Sequence, residues 1–161
     1  MSQTAIVAGG CFWGMQSRFQ RLPGVLETEV GYTGGHLEDP TYRQVCQDIS
    51  GHVEAVRVVF DPEKISYKEI TEAFFSFHDP TLREDNCLSH SSQYSSVIFT
   101  DGEEQAEIAQ AVLDELLASS EYDYEIITEI KPVSTFYPAE EYHQNYYKKH
   151  NLADIEDCLC C

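Results

Sequence analysis

The stretch HVEAVRVVFDP, residues 52–62, alternates its side chains with a period of two and is closed by Asp61-Pro62, the pattern of a β-strand. Glu54, Val56, Val58 and Phe60 share one face, while Val53, Ala55, Arg57 and Val59 share the other. Whichever face turns inward, one ionisable group goes with it. If that group is Glu54, loss of water raises its pKa toward neutrality, which suits a proton donor. The alternative is a strand-end glutamate in water.

Outward from this strand, Thr4–Ala8 reads as a short strand running into Gly9-Gly10, and a helix is predicted from Phe12 to Arg21, ending before the breaker pair Pro23-Gly24. Leu26, Thr28, Val30 and Tyr32 alternate with other residues as a half-buried strand ending at Gly34-Gly35. Residues 35–51 read as a long loop with one helical turn at TYRQVC. Ser66 and Glu69 have capping-box spacing before a helix carrying Ile70, Phe74 and Phe77, which ends near His78-Asp79-Pro80. No periodicity marks 81–92, a predicted loop. Tyr94–Thr100 reads as a strand, and Asp101 with Glu104 is expected to cap a helix whose stripe is Ala106, Ala109, Val112, Leu113 and Leu116. Glu125–Val133 reads as a further strand, and Pro138 suits the first turn of a short helix through Tyr147. Strands and helices interleave without repeat or linker. The expected fold is α+β, a two-layer sandwich of a mixed sheet with packed helices.

With 161 residues the chain can bury one core without disulfide staples, so 1–161 is expected to form a single catalytic domain with a mobile cysteine-rich tail over 151–161. A net charge of −18 repels phosphate backbones and anionic lipid heads, which argues against nucleic acid and membrane surfaces as partners. No run reaches membrane-span length, and Met1–Gly10 lacks the basic start and apolar block of a signal peptide. A cytoplasmic monomer is expected. There the six cysteines, at 11, 46, 87, 158, 160 and 161, read as a mixture of buried, metal-binding and catalytic thiols rather than a disulfide framework. His36, His52, His78 and His90 lack metal-ligand spacing and read as solvated or packing residues.

Cys11 falls where a strand turns through glycines into a helix. The first N–H groups of a helix have no internal partners and carry partial positive charge, so a thiolate there is stabilised. Gly9, Gly10 and Gly14 would leave room for a substrate to approach the backbone. Phe12 and the single tryptophan, Trp13, would form an aromatic wall suited to a small apolar group or a thioether-like sulfur. A core cysteine beside core aromatics remains the plainer alternative.

These residues, with LPGV (22–25), GYTGG (31–35), PTYRQVC (40–46), GHVEAVRVVFDP (51–62), the Gln93-Tyr94 pair and FYPAEEYHQNYY (136–147), resemble the A-type peptide methionine sulfoxide reductases. The resemblance implies a ferredoxin-like α+β sandwich and an extended C-terminal tail. It further implies reduction of methionine S-sulfoxide, free or in oxidised proteins, with no metal or organic cofactor and with thioredoxin as reductant. Cys11 is similar to the family's attacking cysteine. Phe12 and Trp13 would hold the substrate methyl group, and Glu54, Tyr32 and Tyr94 would surround the sulfoxide oxygen. His143 and Tyr146 match supporting positions in the family's HQxY segment. Such chemistry needs an acid at the oxygen and a thiolate at the sulfur, because oxygen leaves poorly until protonated.

The chain departs from the pattern at three places. CLSHSSQYSS (87–96) puts Ser89 where an aspartate is usual and Ser95 where an arginine is usual, which changes the grip on the substrate. Gln16 replaces a glutamate, with a small effect expected. The tail ends DCLCC, offering Cys158 or Cys160 as the resolving thiol with Cys161 as a relay; Cys87 is a second candidate, and Cys46 is expected to be buried and inert. A non-enzymatic thiol protein, redox sensor or metal binder, is the competing reading.

Overall fold

The computed structural model describes residues 1–81 and 92–151. Its strands are β1 (Gln3–Ala8), β2 (Val25–Thr33), β3 (Val53–Phe60), β4 (Val97–Thr100), β5 (Glu129–Pro132) and β6 (Tyr137–Pro138). The helices are α1 (Phe12–Gln20), α2 (Tyr42–Cys46), α3 (Tyr67–Ser76), α4 (Glu103–Ser119) and α5 (Tyr146–Lys149). All six strands join one sheet in the order β5-β4-β1-β3-β2-β6. β3 lies between β1 and β2 and is antiparallel to both, so those two run parallel to each other with α1 crossing between them. β1 is antiparallel to β4, whereas β4 and β5 are parallel, which makes the sheet mixed. The inner order β4-β1-β3-β2, with helices after β1 and β3, is the split βαβ plan expected of a ferredoxin-like sandwich.

Register settles the ambiguity in β3. Val7 and Val30 stand opposite Val56, Ala5 stands opposite Val58, and Tyr32 stands opposite Glu54. This face meets Phe12, Met15 and Phe19 of α1, Ile70 and Phe74 of α3, and Ala109 and Val112 of α4 in the main core. Glu54 is therefore the inward ionisable group, at 1% exposure. Arg57 faces the other way, pairs with Glu29 and lies 5.5 Å from the Phe136 ring centroid. A smaller cluster on that side gathers Ala8, Val53, Ala55, Val97 and Phe99.

Both short polar motifs cap as their chemistry requires. Ser66 and Glu69 form a reciprocal capping box on α3, and Thr41 and Gln44 form another on α2. Elsewhere the expectations need correcting. α4 is capped by Gly102 at φ 89, not by Asp101, whose backbone N–H is taken by the Gln105 side chain at 3.0 Å. β4 begins at Val97, since Ser92–Tyr94 forms a 3₁₀ turn, and β5 is confined to Glu129–Pro132. No single helix runs from Pro138 to Tyr147. Tyr137–Pro138 instead pairs with Gly31–Tyr32 as an edge strand, where a missing N–H is tolerated. A 3₁₀ turn over Glu141–His143 follows, and Asn145 at φ 55 separates it from α5. Among the described residues, no helix is long and apolar enough to cross a membrane.

Candidate active site

Cys11 is the N-cap residue of α1, in extended conformation and 5% exposed. Gly10 before it has φ 83, a left-handed conformation that turns β1 into α1 and favours glycine, and its N–H donates to the Tyr94 carbonyl at 3.2 Å. Cys11 and Tyr94 pack with Trp13 and Ile127. The expectation that neighbouring glycines admit substrate is corrected at two positions. A Cβ on Gly9 would stand 2.9 Å from the Phe74 ring and 3.0 Å from His78, and one on Gly14 would stand 3.3 Å from the Tyr147 hydroxyl. Both make room for the protein itself.

His78 supports this turn from behind. Its Nδ1 donates to the Phe74 carbonyl at 2.8 Å, so Nε2 accepts from the Ser96 hydroxyl at 2.9 Å, and Ser96 in turn lies 2.7 Å from the Thr128 hydroxyl. Burial pushes its pKa down to about 4, leaving a neutral imidazole that anchors the backbone just after Tyr94.

Glu54 reaches the same helix end from β3. Its Oε1 accepts the Phe12 N–H at 3.2 Å, one residue beyond Cys11. Its Oε2 is buried without a hydrogen-bond partner among the described residues. Burial pushes the carboxyl up to about 8 despite that one donated N–H, so at neutral pH the group holds its proton. Opposite it on β2, Tyr32 is fully buried, with its ring 5.8 Å from that of Phe12. The Tyr32 hydroxyl donates to Glu140 at 2.8 Å. Burial first, then that bond and nearby charges, push the phenol's pKa up.

An aromatic wall completes the arrangement. The Trp13 indole N–H donates to His143 Nδ1 at 2.8 Å, and its ring stacks on Tyr146 with centroids 3.7 Å apart and planes 6° from parallel. Because Nδ1 accepts, His143 carries its proton on Nε2, which is buried without a partner among the described residues. Burial lowers its pKa. The ring is wedged between Phe12, Tyr42 and Tyr142 at 5.3, 4.3 and 4.1 Å.

Cys11, Phe12, Trp13, Tyr32, Glu54, Tyr94, His143 and Tyr146 thus form one connected cluster. Ser89, Cys87, Cys158, Cys160 and Cys161 lie outside the described residues. Cys11 is disulfide-bonded, and Cys46 is free. Cys46 is partly exposed rather than buried; desolvation still pushes its thiol pKa up, which disfavours thiolate. Among the described residues no group of three or more His, Cys, Asp or Glu side chains could hold a metal ion.

Of four supporting residues, Gln16, His78, Glu140 and Gln144, the last two escaped sequence reasoning, His78 takes the packing role expected of it, and Gln16 does more than expected. Gln16 does more than remove a charge near the start of α1. It is buried, with Nε2 donating to the Thr28 hydroxyl at 3.2 Å and Oε1 accepting the Asn145 N–H at 2.8 Å. The segment FYPAEEYHQNYY contains two of the four, but Glu140 and Tyr32 are 108 residues apart, and no local period announces such a contact.

Comparison with known proteins agrees with the geometry. The family model described as peptide methionine sulfoxide reductase matches residues 3–158. A peptide methionine sulfoxide reductase MsrA from Streptococcus agalactiae serotype Ia is 47% identical over 146 residues, covering 91% of this chain and 86% of the relative. The structure of methionine sulfoxide reductase A from Corynebacterium diphtheriae superposes with TM-score 0.81 at 35% identity, covering 94% of this chain and 76% of the other. Reduced Mxr1 from Saccharomyces cerevisiae superposes with TM-score 0.83 at 28% identity, covering 93% and 86%. The class is that of an α+β oxidoreductase. Within it, the chain belongs to the peptide methionine sulfoxide reductase family, A type.

Proposed function

We propose that the chain reduces methionine S-sulfoxide, free or within oxidised proteins, with Cys11 as the attacking thiol and Glu54 as the acid. One observation carries this reading: a buried carboxyl, its pKa pushed up by burial and its second oxygen unpartnered among the described residues, is bonded to the first amide of the helix that Cys11 caps. A sulfoxide is a weak electrophile until its oxygen is protonated, so Glu54 supplies the proton as the Cys11 sulfur attacks. Oxygen passes to Cys11 as sulfenic acid, methionine leaves, and sulfur on the substrate is reduced as the enzyme's sulfur is oxidised. Phe12 and Trp13 hold the methyl group, His143 and Tyr146 fix the indole plane, and Tyr32 and Tyr94 surround the oxygen.

A second thiol then condenses with the sulfenic acid, releasing water and leaving a disulfide. Cys11 is disulfide-bonded while Cys46 is free, which supports a role for another of the chain's own thiols. Cys158 or Cys160 is the proposed resolver, with Cys161 as relay and Cys87 as the second candidate. Mxr1 from Saccharomyces cerevisiae is also solved in complex with Trx2, which supports a thioredoxin as the reductant of this disulfide. The cycle needs a reducing compartment, so the cytoplasm remains its expected location.

The test is consumption of methionine sulfoxide with dithiothreitol, comparing free and peptide-bound substrate, followed by mass-spectrometric mapping of the thiol paired with Cys11. Turnover that vanishes in Cys11→Ser is expected. Full activity in that variant would end the proposal.

A further inference from the structure

His78 joins more of the molecule than a packing side chain needs to. Its Nδ1–H is committed to the Phe74 carbonyl at 2.8 Å, so Nε2 can only accept, and it takes the Ser96 hydroxyl at 2.9 Å. With its own proton committed, Ser96 accepts the Thr128 hydroxyl at 2.7 Å. One edge of the ring lies against Gly9, where a Cβ would stand 3.0 Å from Cγ and from Cδ2. Three segments thus meet at one imidazole: α3, the glycine turn that leads into Cys11, and the residues between Tyr94 and β4. Backbone bonds close the same junction. The Gly10 N–H donates to the Tyr94 carbonyl at 3.2 Å, the Glu129 N–H to the Ser96 carbonyl at 3.0 Å, and the Ile127 N–H to the Pro80 carbonyl at 2.8 Å. Tyr94 and Ile127 both pack with Cys11. None of these bonds uses the Cys11 sulfur, so reducing its disulfide breaks none of them.

We propose that His78 is a positioning residue for the sulfur of Cys11: through Ser96 it fixes the turn that carries Cys11 against the segment that carries Tyr94. The proposal rests on the reductase reading of the site. Attack needs the two sulfurs held in alignment at about 3–3.5 Å before the bond forms. Gly10, at φ 83, makes the turn possible but leaves the backbone its widest freedom, so it cannot hold that alignment alone. A rigid ring against Gly9 and a directional chain of hydroxyls behind it restrict the turn. The wall proposed for the substrate methyl group depends on other contacts, Trp13 with His143 and Trp13 on Tyr146. His78 therefore acts on the rate of sulfur attack and leaves substrate affinity alone.

The test is single-turnover methionine formation by the reduced enzyme against sulfoxide concentration, with two replacements that each keep one half of the imidazole. Gln places an oxygen where Nε2 stands and can accept the Ser96 hydroxyl. Asn places an amide where Nδ1 stands and can donate to the Phe74 carbonyl, but does not reach Ser96. His78→Asn should lower the maximal rate roughly 10- to 100-fold, the scale on which an ångström of misplacement slows an aligned attack. The half-saturating concentration should not move, and His78→Gln should recover most of the rate. Ser96→Ala should show the same loss as His78→Asn, and combining the two should add little. A brace that serves stability alone predicts wild-type maximal rates wherever the variants are folded, and that result overturns the proposal. So does a Gln variant as slow as the Asn variant, or a loss confined to the half-saturating concentration. Should His78→Asn not fold, Ser96→Ala decides alone, because a wild-type maximal rate in that variant also overturns it. Failure of the reductase reading shows separately, as a wild-type chain that consumes no sulfoxide.

Discussion

Glu54 and Glu140 flank the same phenol, one as its cross-strand neighbour and one as its hydrogen-bond acceptor, and the fold treats them oppositely. Around Glu54 the sheet and α1 exclude water, and a single N–H cannot offset that, so the carboxyl is pushed up to about 8. Around Glu140 burial also works against the charge, but its own backbone N–H, the Tyr32 hydroxyl and the Tyr42 N–H together hold its carboxyl below the ordinary value. Protonation state at pH 7 thus follows from how deeply each carboxylate is buried and how many donors meet it, not from residue type. One acid keeps its proton at neutral pH; the other keeps a charge that accepts the Tyr32 hydroxyl.

The contrast breaks first at Glu54. Glu54→Gln keeps the shape and loses the transferable proton, so sulfoxide reduction should fall by roughly 10²- to 10⁴-fold. With Glu54 as the proposed proton donor, wild-type activity should decline as pH rises through about 8, and the variant's residual activity should lose that limb. A pH–rate profile of both proteins checks this, and matching profiles would remove the glutamate from the chemistry.

Stability offers a second way in. A carboxyl whose folded pKa exceeds its unfolded one binds more protons in the native state between those values, so stability falls with rising pH across that window. For Glu54 the window runs from its ordinary value of 4.5 to about 8. Glu54→Gln should therefore be more stable than wild type at pH 8, by an amount on the order of a few kcal/mol, with the gap closing toward pH 4. Glu140 has the opposite sign. Its lowered pKa adds stability at neutral pH that is lost as pH falls, so Glu140→Gln should lower Tm at pH 7 by roughly 2–4 °C, a deficit that shrinks in acid. Urea and thermal unfolding across pH would show whether the two acids diverge in this way.

How much of this was legible in the sequence depends on the range of the interaction. The period-two pattern of β3, the glycine turn before α1 and the capping box of α3 are local, and each forms as its residues dictate. Even the inward turn of Glu54 could be reduced to two options from alternation alone, and register with Val7 and Val30 chose between them. The stretch from Pro138 onward failed because its conformation is decided by β2. An edge pairing and the hydrogen bonds of Gln144 to the Val30 backbone override the helical cue of a proline at the first turn. Glu140 was hidden for the same reason: its partner is supplied by a strand far back in the chain. The aromatic wall was partly readable, since Trp13 follows Cys11 closely and His143 lies in the FYPAEEYHQNYY segment, but not the direction of the indole N–H.

Gln16 gives the mildest test of the same rule, because here the chain places a buried amide where another carboxyl could stand. Its Nε2 donates to the Thr28 hydroxyl at 3.2 Å and lies 3.4 Å from the Thr28 carbonyl, while its Oε1 accepts the Asn145 N–H at 2.8 Å. In Gln16→Glu the Asn145 N–H still finds an oxygen, now a charged one, and the Thr28 hydroxyl can rotate to donate instead of accept. Only the bond to the Thr28 carbonyl is lost outright, so the cost at pH 7 should be about 1 kcal/mol. Below the pKa of the new carboxyl the protonated form can donate to that carbonyl again. The deficit, read from urea midpoints, should accordingly disappear near pH 4. A deficit that persisted unchanged in acid would mean that shape, and not the supply of donors and acceptors, decides which carboxyls this fold accepts around α1.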